Sequence, residues 1–260
     1  VPEMCGIAMI ISFLCSLGLD ILLFPQYSDI FIAIILSTII VALVGLMDDL
    51  YCLNPFFKAC LPALGGVPIL LLSAYSPRPY LPFVGRARLT YIYPFIVPIA
   101  IAVTSNATNM YDVLNGSMPG SMGITCFFLA ICSVLLGRVE GLVIFLCLSA
   151  SFFGFYHYNR YPASAFSGDV GSLGMGAAFG AAVITTRLDV IGVVAFMPYI
   201  MNGFWILTSV KGLRERREIR HRPVVFQDGF LIDSANPHAP ITLVRLLVCE
   251  SPLTESEVVK

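Results

Sequence analysis

Residues 92–116 read IYPFIVPIAIAVTSNATNMYDVLNG, an apolar run that ends in a cluster of amide and carboxylate side chains. With its flanks, the apolar part is long enough to cross much of a bilayer. The cluster comprises Asn106, Asn109, Asp112 and Asn115. Polar groups at the edge of hydrocarbon are costly, so the cluster indicates either a site or a helix end that Asn and Asp cap. If the helix continues, positions 106, 109 and 112 share one face and their oxygens converge on one ligand or cation.

The composition of the whole chain assigns it to the membrane. Of the 260 residues, 58% are hydrophobic and only 12% are charged, and the mean hydropathy is +0.87. Soluble domains carry about 25% charged residues, so this chain has too few charged side chains for a surface that is fully exposed to water. The eight cysteines contain no CxxC pair, which argues against a zinc site or a disulfide framework. We therefore predict an all-α fold, a polytopic transmembrane helical bundle.

Apolar stretches of about 20 residues mark the membrane spans. Eight are predicted, at residues 5–24, 30–47, 59–75, 92–108, 120–136, 141–157, 171–186 and 189–209. We expect them to form a single integral-membrane domain over residues 1–260. The chain has no initial methionine and stops on a polar stretch, so we expect a fragment of a longer protein.

Four connections between the predicted spans are rich in Asp, Asn, His, Lys and Arg. They cover residues 48–58, 105–119, 157–170 and 211–239. Two spans separate each of these loops from the next, so all four lie on one membrane face and can build one active site. This face carries eight basic residues and the opposite face five. The positive-inside rule therefore places the four loops in the cytoplasm.

Two of these loops carry acidic residues beside apolar spans. Asp48 and Asp49 are adjacent carboxylates that repel each other and indicate a bound cation, a base or a solvated helix end. Lys58 follows them, where a lysine either snorkels to the interface or meets a phosphate. Asp169 lies in FSGDVGS, residues 166–172, ahead of a glycine-rich span whose start offers free N–H groups to an anion. Packing of small residues between helices explains the glycines but not this aspartate.

The basic loop near the carboxyl end contains Arg220, His221 and Arg222. Such a loop serves as an orientation signal, a lipid-headgroup contact or a clamp for pyrophosphate. Carboxylate and amide oxygens suit Mg²⁺, and basic side chains hold the remaining phosphate charge, so the set matches phosphoryl transfer with a lipid substrate. A transporter with an intramembrane ion path is the alternative from another class, but it predicts polar groups near the middle of the spans. An inactive scaffold is a further alternative, which the complete polar set opposes.

The chain resembles the polyprenyl-phosphate N-acetylhexosamine-1-phosphate transferases, in particular their dolichyl-phosphate N-acetylglucosamine-phosphate transferase branch. The resemblance rests on VPE (1–3), GLMDDL (45–50), NATNMYDVLNG (106–116), NRYPASAFSGDVGSLGMG (159–176) and RHRP (220–223). It implies about ten spans in the complete fold. It also implies that a lipid phosphate attacks the β-phosphorus of UDP-N-acetylglucosamine, giving a lipid-pyrophosphate sugar and UMP. That reaction is the first step of lipid-linked oligosaccharide assembly for N-glycosylation.

Site residues follow from the resemblance by position. Asn109 and Asp169 correspond to the ligands of Mg²⁺, for which Mn²⁺ can substitute. Asp48, Asp49 and Lys58 join them as catalytic positions, Lys58 as the phosphate-binding lysine. The implied substrate-binding positions are Glu3, Asn106, Asp112, Asn115, Phe166, Arg220, His221 and Arg222, with Phe166 stacking on uracil.

Departures from the pattern leave a second enzyme open. Residues 115–120, NGSMPG, differ from the eukaryotic NGLEAG, and Asp112 resembles the bacterial branch, which acts on undecaprenyl phosphate in cell-wall synthesis. Residues 237–245, PHAPITLVR, resemble archaeal members. The expected partners are UDP-N-acetylglucosamine, polyprenyl or dolichyl phosphate, the lipid bilayer and a second copy of the chain, without nucleic acid. The expected membrane is the plasma membrane in an archaeon and the endoplasmic reticulum in a eukaryote.

Overall fold

The structure, a computed structural model, describes residues 2–81, 85–212 and 221–259. Its helices are α1 Gly6–Leu23, α2 Ser28–Tyr51, α3 Pro55–Cys60, α4 Gly66–Leu71, α5 Tyr93–Tyr111, α6 Ser117–Leu135, α7 Val139–Asn159, α8 Gly168–Thr185, α9 Asp189–Ala195, α10 Met197–Val210, α11 Leu243–Leu247 and α12 Glu255–Val259. Two antiparallel hairpins lie in loops and pair β1 Tyr80–Leu81 with β2 Gly85–Arg86, and β3 Val224–Gln227 with β4 Phe230–Asp233. The predicted polytopic helical bundle is confirmed.

Five helices of the described ranges, α1, α2, α6, α7 and α8, are long and apolar enough to cross a membrane. Helices α9 and α10, bent by 61° at their junction, make a sixth candidate. Six of the eight predicted spans correspond to these candidates. The predicted span 59–75 is broken into α3, the 3₁₀ turn Leu61–Gly65 and α4, where Pro62 and Pro68 remove backbone donors. The predicted span 92–108 is α5, whose polar carboxyl-terminal residues lower its hydropathy.

Helix α8 lies at the centre of the bundle, and every one of its residues from Val170 to Thr185 is buried. Small residues allow its neighbours to approach closely. A Cβ at Gly176 would lie 2.7 Å from the carbonyl oxygen of Thr104 on α5, and one at Gly174 would lie 3.1 Å from the Cβ of Ala42 on α2. Helix α8 therefore packs backbone to backbone between α2 and α5, as glycine-mediated contacts in membranes do.

Backbone contacts bring the predicted loops to one end of this bundle. The amino-terminal segment pairs with the loop before α8, where Cys5 N donates to Phe166 O at 2.9 Å and Gly6 N to Ser167 O at 3.0 Å. The Asn202 side chain of α10 donates to Met110 O of α5 and accepts from the N–H that begins α11. These contacts hold the amino-terminal segment against the start of α8, and the end of α5 against α10.

Candidate active site

Lys58 lies between two carboxylates from different helices. Its Nζ is 2.6 Å from Oδ2 of Asp48 on α2 and 2.5 Å from Oδ2 of Asp169 on α8. Lys58 is presented by α3, whose start Asn54 caps by accepting a hydrogen bond from the N–H of Phe56. Burial by itself lowers the pKa of Lys58, but the charges of Asp169 and Asp48 outweigh it and hold that pKa above its usual value. The ammonium is therefore a fixed positive charge at physiological pH.

The adjacent carboxylates of α2 have separate partners. Asp48 accepts the Leu53 N–H on Oδ1 at 2.7 Å and meets Lys58 through Oδ2. Asp49 points elsewhere, because consecutive helix positions are about 100° apart. Separate hydrogen-bond donors for each carboxylate thus offset the repulsion that the sequence led us to expect.

Asp49 reaches the amino-terminal turn of α8. Its Oδ1 accepts the N–H of Asp169 and its Oδ2 the N–H of Val170, both at 2.9 Å. The expectation that the N–H groups at this helix start are free for an anionic ligand is therefore wrong for these two, because a protein carboxylate already accepts them.

Asn109, in the last turn of α5, completes the surroundings of Asp169. Its Nδ2 donates to Oδ1 of Asp169 and, at 2.8 Å, to Oγ of Ser172. Both carboxylate oxygens of Asp169 therefore face donors, Asn109 on one side and Lys58 on the other. The Asp169 side chain remains 26% exposed, so the cluster is open to a substrate.

Helix α5 ends at Tyr111, and Asp112 adopts a non-helical conformation. Asp112 instead accepts a short hydrogen bond from the hydroxyl of Ser167. Burial raises the pKa of Asp112 to about 6; the bond from Ser167 opposes this shift and the charge of Asp169 adds to it.

Asn106 faces a third direction and ties α5 to α3. Its Nδ2 donates to the carbonyl of Ala59 at 3.0 Å and to that of Ala102 at 2.8 Å. Asn106 thereby braces the helix that carries Lys58. The polar side chains at 106, 109 and 112 consequently do not converge on one ligand, which corrects the arrangement expected for a continuing helix.

The remaining predicted residues lie in the surrounding segments. Phe166 is 38% exposed, and its N–H donates to Pro2 O, next to the exposed Glu3. The N–H of Asn115 donates to the Glu255 side chain at 2.8 Å.

The predicted basic loop is described only in part. His221 and Arg222 are exposed, and Nδ1 of His221 lies 3.0 Å from the amide of Asn236 in its own loop. Arg220 lies outside the described residues. Direct contacts therefore join five predicted residues, Asp48, Asp49, Lys58, Asn109 and Asp169. Asp112 instead contacts Ser167, two residues before Asp169.

Sequence reasoning missed several residues that shape the site. Ser167 and Ser172 bond Asp112 and Asn109, and both belong to the FSGDVGS segment. Asn159, 2% exposed, accepts the Gly116 N–H at 2.9 Å and so joins two of the predicted loops. Its position in the NRYP segment, a polar residue following an apolar span, is the signal that could have identified it.

The donor set of the cluster suits Mg²⁺. Asp169 and Asp48 supply carboxylate oxygens and Asn109 an amide, and Mg²⁺ takes one or two carboxylates completed by water and substrate phosphates. A cation already lies between the two carboxylates, since the Lys58 ammonium is within 2.6 Å of both. Within residues 2–81, 85–212 and 221–259, no three His, Cys, Asp or Glu side chains converge as a metal cage. Water and substrate phosphates would have to complete the coordination of Mg²⁺ here.

Comparisons with known proteins identify the family of the chain. Residues 31–187 match the family model described as glycosyl transferase family 4. A protein of Saccharolobus solfataricus is 31% identical over 218 residues, which cover 82% of this chain and 67% of that protein. A protein of Sulfolobus acidocaldarius is 27% identical over 209 residues, covering 78% and 64% respectively. Both are provisionally named UDP-N-acetylglucosamine–dolichyl-phosphate N-acetylglucosaminephosphotransferase.

Bacterial proteins are similar as well. A phospho-N-acetylmuramoyl-pentapeptide-transferase of Chlamydia muridarum is 36% identical over 167 residues, 60% of this chain and 48% of that protein. The chain spans about two thirds of the length of the two archaeal relatives. The family match contains all five predicted catalytic positions, Asp48, Asp49, Lys58, Asn109 and Asp169.

Proposed function

Because the chain belongs to glycosyl transferase family 4, we propose that it transfers N-acetylglucosamine-1-phosphate from UDP-N-acetylglucosamine to a polyprenyl phosphate of the dolichyl type. The products are lipid-pyrophosphate-N-acetylglucosamine and UMP, and this lipid would begin oligosaccharide assembly for N-glycosylation. The observation that carries the proposal is the Lys58 ammonium held between Asp48 and Asp169 at the ends of apolar helices. The names of the two archaeal relatives support the choice of donor and lipid.

The reaction needs charge and geometry more than covalent chemistry from the protein. A phosphate monoester has a second pKa of about 6, so the lipid phosphate presents an anionic oxygen at neutral pH without a strong base. That oxygen forms a bond to the β-phosphorus, and the bond from this phosphorus to the bridging oxygen breaks. The bridging oxygen leaves with UMP and keeps the electron pair.

Each residue of the cluster has a part in this scheme. Lys58 binds phosphate oxygens and offsets the charge that accumulates where two phosphates approach. Asp169 and Asn109 would hold Mg²⁺, which when bound neutralises pyrophosphate charge and stabilises the leaving phosphate. Asp48 keeps the ammonium of Lys58 directed toward the site through its ion pair of 2.6 Å.

The position of the cluster supports an enzyme rather than a transporter. Asp48 lies in the last turn of α2, Asn109 in the last turn of α5 and Asp169 in the first turn of α8. All three helix ends belong to the face on which the sequence predicts the excess of basic residues, which supports a cytoplasmic active site. An ion path would instead require polar groups through the middle of the bundle.

A transfer assay tests the proposal. The protein in lipid nanodiscs is incubated with radiolabelled UDP-N-acetylglucosamine, dolichyl phosphate and Mg²⁺, and organic-soluble label and UMP are measured. We expect equal amounts of both products from the wild-type protein. Both products should be lost on chelation of Mg²⁺ and in Asp169→Asn, but not in Asp29→Asn. Asp29 is an exposed carboxylate at the opposite end of α2 and serves as the matched control. No label in the lipid fraction would contradict the proposal.

The same assay separates the bacterial alternative, which the similarity to the Chlamydia muridarum protein keeps open. Undecaprenyl phosphate and UDP-N-acetylmuramoyl-pentapeptide replace the two substrates in a parallel reaction. We expect faster transfer with the dolichyl lipid and N-acetylglucosamine donor. Preference for the bacterial pair would assign the chain to cell-wall synthesis.

A further inference from the structure

Helix α8 is capped by a residue of another helix. The first N–H groups of a helix have no acceptor within it and require one from outside. The residue before α8, Ser167, does not cap it: its side chain accepts no N–H of the helix, and its hydroxyl donates to Asp112. Asp49 of α2 accepts the N–H of Asp169 and that of Val170 instead, one on each carboxylate oxygen. Its negative charge also lies at the positive end of the helix dipole.

Gly45 lies one turn before Asp49 on the same face of α2 and completes this contact. A Cβ at Gly45 would lie 2.5 Å from the carbonyl oxygen of Asp169 and 2.7 Å from the Cα of Val170. These distances are shorter than any relaxed contact with backbone permits, so only glycine allows the approach. We refer to Gly45 and Asp49 together as the α8 seat.

Asp48 and Asp49 of α2 have different contacts and therefore different roles. Asp48 contacts the Lys58 ammonium. Asp49 has both oxygens bonded to backbone amides of the residue that would hold the metal and of its neighbour. Its contact with the site therefore runs through the backbone of Asp169.

We propose that Asp49 is a positioning residue, which fixes the first turn of α8 and thereby places the Asp169 carboxylate beside Lys58 and Asn109. The proposal rests on the function proposed above, because it gives Asp49 a role in the transfer reaction. It assigns no proton transfer to Asp49, consistent with a lipid phosphate that is already anionic.

Hydrogen exchange measures the seat without reference to catalysis. Mass spectrometry on peptides covering residues 166–175 is compared for wild type, Asp49→Ala, Asp49→Asn and the control Asp29→Asn. Loss of both bonds in Asp49→Ala should speed exchange at the first turn of α8 by about 10- to 100-fold. Asp49→Asn, whose amide keeps one acceptor, should show a smaller increase, and Asp29→Asn none. Wild-type protection in folded Asp49→Ala would overturn the proposal, whatever the transfer assay shows.

Kinetics distinguish positioning from proton transfer. A positioning role predicts that Asp49→Asn lowers kcat by one factor across the pH range, while the shape of the pH profile is unchanged. It also predicts that more Mg²⁺ is needed for half-maximal turnover, since Asp169 is less well placed. Loss of one limb of the pH profile would make Asp49 a proton acceptor and overturn the proposal.

Gly45→Ala provides an independent variant, since it leaves Asp49 intact and displaces the backbone of Asp169. It should reproduce the faster exchange and the reduced kcat of Asp49→Asn. Wild-type exchange and turnover in Gly45→Ala would contradict the seat. If wild type shows no transfer at all, the proposed function fails, while the exchange data still decide whether Asp49 fixes α8.

Discussion

Replacing Lys58 with methionine tests whether its charge holds the two carboxylates together. Methionine keeps an unbranched apolar side chain and removes the ammonium. Because Nζ lies 2.6 Å from Asp48 and 2.5 Å from Asp169, the two carboxylate oxygens are about 5 Å apart at most, where unit charges repel by about 3 kcal/mol at an effective dielectric constant of about 20. The side chains of Lys58 and Asp169 are each 26% exposed, and solvent screening reduces the expected loss of stability to about 1–2 kcal/mol.

The assay is thermal unfolding of the purified protein in detergent over a series of pH values. Repulsion acts only while both carboxylates are ionised, so the deficit of Lys58→Met should be largest at high pH. It should shrink as the pH falls and one carboxyl takes up a proton. Added Mg²⁺ should stabilise the variant more than wild type, because the metal replaces the missing charge.

Lys211→Met is the matched control, since Lys211 is exposed and follows α10. It should unfold like wild type at every pH. Transfer activity of Lys58→Met should fall by about 100-fold or more, the effect of removing one preorganised donor from charge that develops in a transition state. A deficit that is independent of pH, or equal to that of Lys211→Met, would refute the electrostatic argument.

Three further variants test other parts of the site. Asp169→Asn keeps the side-chain shape but removes the anionic oxygen that Mg²⁺ prefers, so turnover at limiting Mg²⁺ should fall about 100-fold or more in a folded protein; near-wild-type turnover would count against this role. Phe166→Ala removes a stacking surface worth about 1–3 kcal/mol, so calorimetry should show a Kd for UMP about 5- to 150-fold higher, with lipid-phosphate affinity unchanged. An unaltered Kd would exclude stacking. For Asp112, burial raises the folded-state pKa to about 6, so the folded protein binds more protons and wild-type stability falls as the pH rises from about 4 to 6. In Asp112→Asn, stability should no longer fall with pH through this contribution. Parallel curves of stability against pH for the two proteins would argue against a raised pKa of Asp112.

Hydropathy predicted the bundle well because span length and apolar content are local properties of the chain. Predicted spans 5–24, 120–136 and 171–186 correspond to α1, α6 and α8 within a few residues. Local composition could not show that residues 59–75 break into two short helices, since proline and glycine occur in both continuous and broken membrane helices. The break matters, because α3 presents Lys58 to the carboxylates.

The site was predicted as a set of residues but not as a set of contacts. Lys58 and Asp169 are 111 residues apart, and Asn109 and Asp169 are 60 apart, so their pairing depends on how α8 packs against α2 and α5. The different partners of Asp48 and Asp49 depend on how α2 is rotated about its axis, because the side chains of consecutive helix residues point in directions about 100° apart. The sequence motif does not determine the rotation of α2, which is set by the packing of the helices.

The burial of α8 has a consequence for how the protein enters the membrane. Among the five span candidates α8 is the least apolar, and 89% of its window is buried, against at most 50% in the others. A glycine-rich helix of this kind gains little from lipid, so it becomes stable only once neighbouring helices have formed the cleft that receives it. Helices α2 and α5 are synthesised before α8, so the cleft between them can form before α8 enters the membrane. A circular permutant that begins with α8 should therefore insert this helix poorly, even though every contact of the finished bundle remains available to it.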